Sequence, residues 1–341
     1  MGANANSQGS VYGNALQAAA WQGSEGVVRL LLARGADVNA QGGEFGNALQ
    51  AAAWRGREGV ARLLLDRGAD INAQGGELGN AFQAAVFAGS EGIVRLLLDR
   101  GANANAPGGA YGHALQAAAR RGSDGVFRLL LDRGADVNAQ GGEFSNALQA
   151  AAWEGSERAV RLLLDRGADV NAQGGKYRNA LQAAARRDSE GIVRLLLDRG
   201  ADVNAQGGEF GNALQAAAWE GGERVVRLLL DRGADVNAQG GKYGNALQAA
   251  AWRDSEGVVR LVLDRGANVN AQGGEFGNAL QAAVWEGSEC VVRLLLDRGA
   301  DVDAQGGEYG SALQAAAWRG SENIVRLLLD RGANVNNLKE Q

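Results

Sequence analysis

The sequence is poor in the residues on which most catalytic and metal sites depend. Its 341 residues contain one histidine, His113, and one cysteine, Cys290. A single cysteine excludes an intrachain disulfide and points to a reducing compartment. No run approaches the ~18 consecutive apolar residues that a membrane-spanning helix needs; aliphatic segments such as "VVRLLL" at 27–32 are broken by arginine. A basic surplus is missing as well. The formal net charge is −5, which argues against nucleic acid, whose binders concentrate Lys and Arg on one face. "GANANSQG" follows Met1 directly, and nothing there reads as a signal peptide. These absences predict a cytoplasmic chain with no nucleic-acid or membrane partner, no cofactor and no metal.

What is present is one phrase written ten times. Ala15, Ala48, Ala81, Ala114, Ala147, Ala180, Ala213, Ala246, Ala279 and Ala312 open copies spaced by 33 residues without insertion or deletion. A fixed period overrides the two or three globular domains that length alone would suggest, and predicts one array over residues 1–341. The repeats begin near Asn14, Asn47, Asn80, His113, Asn146, Asn179, Asn212, Asn245, Asn278 and Ser311.

Each unit reads as helix, tight break, helix, loop, so the fold class is all-α. Asn14 with Gln17 three residues later forms a capping-box signature for the first helix. Gly23 ends that helix in a left-handed conformation, and Asp188 and Asp254, which replace this glycine, tolerate it better than most residues. Ser24 is expected to cap the second helix. Val27, Val28, Leu31 and Leu32 form its apolar stripe, with Arg29 on the wet side four residues after Glu25. Gly35 stops the helix, and "ADVNAQGGE" forms a projecting loop. A helix pair this small cannot bury its own stripe, so neighbours must share one core.

The pattern resembles the ankyrin repeat across essentially the whole chain. The carriers are the period of 33, "LLLDRGADINA" at 63–73 and the paired alanines Ala19 and Ala20. Where that family has Thr-Pro-Leu-His this chain has Asn14-Ala15-Leu16-Gln17, and the Asp-Gly loop tip becomes "GGEFGN". The resemblance implies a right-handed solenoid of ten helix-turn-helix repeats with projecting loops. It also implies a non-catalytic module that binds a protein or peptide on a concave groove lined by loop tips and first-helix ends. The "GNALQAAA" wording is similar to ankyrin arrays of filamentous fungi, often attached to NACHT-type signalling proteins as their sensing part.

The copies are so alike that residues 143–208 and 209–274 differ at eight of 66 positions. Individuality is left to two places. The residue pair after "QAA(A/V)" carries Trp21, Trp54, Phe87, Arg120 with Arg121, Trp153, Arg186 with Arg187, Trp219, Trp252, Trp285 and Trp318. The loop tips carry Tyr12, Phe45, Leu78, Tyr111, Phe144, Tyr177, Phe210, Tyr243, Phe276 and Tyr309. Only two aromatics fall outside these ladders: Phe82 and Phe127, at helix positions usually held by Leu or Val, hence core. Trp, Tyr and Arg are the residues enriched in binding hot spots. Two readings of the ladders stay open: a partner-binding groove, or rings that pack on neighbouring repeats and stabilise the stack. The tip rings lean towards anchoring their Gly-rich loops. The helix-end rings lean towards recognition, because Arg replaces Trp at 120 and 186. On that reading Trp153, Trp219, Trp252 and Trp285 have substantially exposed rings flanked by Arg186.

From repeat five onward charge alternates by repeat. Glu143 and Glu154 are followed by Lys176, Arg178, Arg186 and Arg187, then Glu209 and Glu220, then Lys242 and Arg253, then Glu275 and Glu286. Exposed ion pairs between neighbours explain the pattern more simply than a striped groove does. His113 reads as a surface substitution. Cys290 is over five repeats away, on the order of 50 Å at helix-packing distances, so the two cannot form a catalytic pair. The competing functions are a spacer or self-associating rod and a small-molecule or catalytic groove around repeats 4–6. Repeat four, with Pro107, Ala110, His113, Arg120 and Phe127, is the least regular copy and the expected site of individuality. The ends lack polar capping repeats: repeat one keeps Leu16, Val27, Val28, Leu31 and Leu32, and repeat ten departs only at Asn323, Asn337 and the tail "LKEQ". Residues 2–6, "GANAN", read as the end of an absent repeat, which predicts fraying or end-to-end self-association.

Overall fold

A computed structural model describes residues 6, 7, 9, 11–108 and 112–335. Tyr111, Ala110, most of "GANAN", Asn337 and the "LKEQ" tail lie outside the described residues. The chain forms two compact units, Met1–Gly175 and Lys176–Gln341. Among the described residues there are twenty helices and no strands, only isolated bridges such as Gly42 with Gly46 inside a loop tip.

The first unit holds the helix pairs α1 (Ala15–Gln22) and α2 (Glu25–Ala33), α3 (Ala48–Trp54) and α4 (Glu58–Asp66), α5 (Ala81–Ala88) and α6 (Glu91–Asp99), α7 (Ala114–Arg121) and α8 (Asp124–Asp132), and α9 (Ala147–Glu154) and α10 (Glu157–Asp165). The second holds α11 (Ala180–Arg186) and α12 (Glu190–Asp198), α13 (Ala213–Glu220) and α14 (Glu223–Asp231), α15 (Ala246–Trp252) and α16 (Glu256–Asp264), α17 (Ala279–Glu286) and α18 (Glu289–Asp297), and α19 (Ala312–Arg319) and α20 (Glu322–Asp330). Helices of seven to nine residues are too short to persist alone in water. Stacking supplies what length does not. In each unit every first helix packs on the next first helix, and each second helix covers its own partner. Ala51, Ala52 and Ala53 are fully buried, and their small side chains let neighbouring first helices approach closely. Leu49, Val60 and Leu64 fill the space between the rows, and Phe82 and Phe127 are core, as their register predicts. No helix among the described residues is long and apolar enough to cross a membrane.

The first-helix caps follow the sequence. Asn47 has an extended backbone and its side-chain oxygen accepts from the Gln50 amide at 2.9 Å. The glutamine does more than close a capping box. The Gln215 amide nitrogen donates across to the next repeat's loop, at 3.3 Å to Ala238, 3.1 Å to Gly240 and 2.8 Å to Gly244. Gln17 reaches Ala40, Gly42 and Gly46 in the same way.

The expected serine caps on the second helices are mostly not made. Ser24, Ser90, Ser123, Ser189, Ser255 and Ser321 make no side-chain cap bond, and only Ser156 and Ser288 do. In those two the hydroxyl accepts from the third amide, Ala159 N and Val291 N, each at 3.3 Å. The left-handed helix stops hold: Gly23 has φ 85°, and Asp188 and Asp254 take the same conformation at 50° and 54°.

Two further ladders tie the repeats together. Asn39 donates to Gly68 O at 3.1 Å and accepts from Asp70 N at 2.7 Å; Asn204 repeats the pattern with Gly233 and Asp235. On the second helices, C-terminal arginines meet the preceding repeat's Asp, as in Arg100–Asp66 at 3.0 Å and Arg298–Asp264 at 2.9 Å. Glu25 and Arg29 form the expected pair within one helix at 3.5 Å.

Candidate partner-binding face

First-helix ends and loop tips share one face in each unit, because the helix runs from just after its own tip towards the tip of the next repeat. In the first unit Trp21 lies on Phe45 with ring centroids 4.1 Å apart, and Trp54 lies on Phe87 at 5.3 Å. Trp153 contacts its own tip ring, Phe144, at 6.5 Å. In the second unit Trp252 stacks on Phe276 at 4.3 Å and Trp285 on Tyr309 at 4.0 Å, while Trp219 meets Tyr243 at 6.0 Å. Tip rings also follow one another: Phe210 and Tyr243 are nearly parallel at 5.9 Å, and Tyr12 and Phe45 at 6.3 Å. Aromatic pairs of this kind each contribute roughly 0.5–1.5 kcal/mol beyond the area they bury.

Arginines complete the ladder. Arg55 lies over Trp21 at 4.8 Å, Arg121 over Phe87 at 4.7 Å and Arg319 over Trp285 at 5.5 Å. Trp219 has a guanidinium on each side, Arg186 at 4.0 Å and Arg253 at 4.4 Å. Arg253 Nε also donates to the Trp219 carbonyl at 3.1 Å, and Arg186 pairs with Glu220. Where Arg stands in the position of Trp, its guanidinium takes the ring's place. Arg120 lies 5.5 Å over Phe144 and 3.4 Å from the Glu143 carboxylate, and Arg186 lies 5.5 Å over Phe210. Arg187 caps α11 and is exposed.

These contacts correct the expected exposure. Trp153, Trp219, Trp252 and Trp285 are half-buried rather than substantially exposed. The second-unit indoles have neighbouring tip rings over them, and Trp318, in the last repeat, is 73% exposed. Most tip rings are anchors: Phe144, Tyr177, Phe210, Tyr243 and Phe276 are buried, while Tyr12 at the first repeat is exposed and Phe45 and Tyr309 are intermediate.

In the second unit alternating charges meet across repeats. Lys242 pairs with Glu275 at 3.4 Å, an exposed pair worth ~0–1 kcal/mol. The Lys242 pKa is raised, first by the adjacent Tyr243 and then by the hydrogen bond to Glu275. Backbone bonds join the same tips, Lys242 N to Glu209 O at 2.8 Å and Glu275 N to Lys242 O at 3.0 Å. The inter-repeat glutamine and asparagine bridges were missed by sequence reasoning. Their signal was the recurrence of Gln17 in every repeat, and of Asn39 with Asp303 as its one replacement through repeat nine, at polar positions that a surface would let vary.

Chemistry-bearing groups are sparse. His113 is half-buried, not a surface substitution; its Nδ1 is buried beside Gly141 without a hydrogen-bond partner. Its ring sits at the cap position, where the next loop covers it. Cys290 is exposed and belongs to the other unit. No group of three or more His, Cys, Asp or Glu among the described residues is placed to hold a metal ion.

A family model described as "Ankyrin repeats (3 copies)" matches residues 1–75, 76–141, 148–240 and 247–339. The chain therefore belongs to the ankyrin-repeat family. No curated protein matches it.

Proposed function

We propose that this ankyrin-repeat chain is a non-catalytic module whose ladder face docks a protein or peptide. The reading takes residues 1–341 as one array. One observation carries it: the frame accepts Trp or Arg over the same tip ring, as Trp252 on Phe276 and Arg186 on Phe210 show. Packing therefore does not dictate which residue stands there, and the choice is free to serve recognition. Half-buried indoles edged by guanidiniums present the residue types that dominate binding hot spots. Ankyrin repeats generally mediate protein binding, which fits this use of the face. The setting we propose is cytoplasmic, as the sensing part of a larger signalling protein of the kind the fungal arrays serve.

The test is a random peptide library displayed against the whole protein. Peptides selected on it should lose at least tenfold in affinity against Arg186→Trp or Trp252→Arg, substitutions the frame already accommodates elsewhere. Unchanged affinity against both would overturn the docking face.

A second reading, the self-associating rod, rests on a different observation. All large hydrophobic side chains that are exposed among the described residues belong to the first and last repeats: Val11, Tyr12, Val27 and Leu30, and Trp318, Leu329 and Val335. Concentration-dependent sedimentation, abolished by Leu30→Glu, is its expected signature.

A further inference from the structure

Repeat three departs from the tip pattern at one position: Leu78 stands where the other nine repeats carry a ring, and beside it Glu77 follows Glu44 of repeat two, as Glu308 follows Glu275 at the other end. In repeats seven and eight the same two positions read Glu209-Phe210 followed by Lys242-Tyr243. There the Tyr243 ring covers Phe210, and Lys242 supplies a cation to the neighbouring acid Glu275. Repeat three supplies neither ring nor cation. A narrow cleft open to solvent lies at this point, walled by Phe45, Trp54, Leu78 and Ala84, with Glu44 and Glu77 on its lining. Both carboxylates are exposed, and among the described residues neither has an ion-pair or hydrogen-bond partner. Two like charges beside an apolar wall favour a cation strongly.

The molecule shows in another repeat what such a place accepts. The Arg120 guanidinium lies over the Phe144 ring and beside the Glu143 carboxylate. The Glu44-Phe45 tip has the same residues, but Trp21 stands where Arg120 stands, and an indole covers the ring without neutralising the acid. We propose that the pocket between repeats two and three is the seat of an arginine side chain from the partner. A guanidinium is planar, so it stacks as the missing tip ring would. It is also charged, with a fork of donors that two carboxylates can share. Its aliphatic stem lies along Leu78 and Trp54, as long cationic side chains lie along apolar surface. The partner segment this face takes is therefore basic at that position.

This inference rests on the docking reading above and is tested apart from it. The probe is N-acetyl-Gly-Arg-Gly amide, titrated into the whole protein while the indole N–H signals are followed by NMR. The Trp54 signal is identified by its loss in Trp54→Phe. The expected result is a saturable shift of the Trp54 signal that exceeds that of Trp285. It should be absent with the neutral citrulline tripeptide and at least tenfold weaker in E44Q/E77Q. Leu78→Tyr, which places a tip ring like that of Tyr243, should abolish it. Equal shifts with citrulline, in E44Q/E77Q or at Trp285 would overturn the arginine seat. If the seat fails while library peptides remain sensitive to Arg186→Trp, the docking face stands without it. If the seat holds while those peptides are insensitive to both ladder substitutions, the arginine site stands and the wider face fails.

Discussion

Leu30 and Leu228 occupy the same place in the repeat, yet Leu30 is 54% exposed and Leu228 is 7% exposed. Trp318 and Trp285 make the same comparison at the other end of the register. Residue identity is held constant in each pair, so what differs is the neighbour. In a stacked array the core of a repeat is completed by the repeat beside it. Interior copies are buried by a surface that the first and last described copies lack on one side. The seven exposed hydrophobics are thus interior residues without a cover.

The comparison is broken most forcefully by truncating both leucines. Leu228→Ala should cost ~2–4 kcal/mol and Leu30→Ala under ~1 kcal/mol, since the penalty follows the contacts removed. Urea unfolding of the whole protein measures both. Equal costs would mean that Leu30 is covered in solution, as self-association requires.

The interior copies are not equal among themselves, and Asp188 sharpens that point. It takes a left-handed conformation that suits glycine, and burial, followed by Glu220 and Glu190, raises its pKa. A raised carboxylate pKa means that the folded chain holds this proton more tightly than the unfolded one. The stability so gained is present below the unfolded value of 3.8 and is lost as pH rises through the folded value. At pH 7 the charged Asp188 therefore costs stability. Asp188→Gly should stabilise by ~1 kcal/mol at pH 7 from backbone relief alone. The gain should shrink below pH 4, which thermal melts at pH 3 and pH 7 would show.

The smallest effect concerns the outer ion-pair ladder. Repeat one has Ala33 where later repeats have Asp66 or Asp99, so Arg67 lacks the carboxylate that Arg100 has. Ala33→Asp should extend the ladder by one exposed pair and add no more than ~0.5 kcal/mol, lost at high salt.

Much of this is legible in the sequence. The 3.6-residue stripe placed the helices, glycine and aspartate marked their stops, and the register put Phe82 and Phe127 in the core. What was not legible depends on reach between repeats. Period alone says that Gln17 and Trp21 recur, but not that Gln17 bonds the next loop's carbonyls or that Trp21 lies on Phe45. The serine caps failed for a related reason, since composition shows a hydroxyl but not whether it reaches the first-turn amides. The Trp ladder was expected to be open because Arg replaces Trp within it. The substitution is tolerated because a guanidinium covers the same ring.

The most direct measurement is hydrogen exchange mapped along the whole protein with and without a library-selected peptide. The account predicts slowed exchange at first-helix ends and loop tips, around Trp219–Gly221 and Lys242–Gly244, with the second helices unchanged. Slowing confined to residues 25–33 and 322–330 of the end repeats, with the ladder face unaffected, would contradict it.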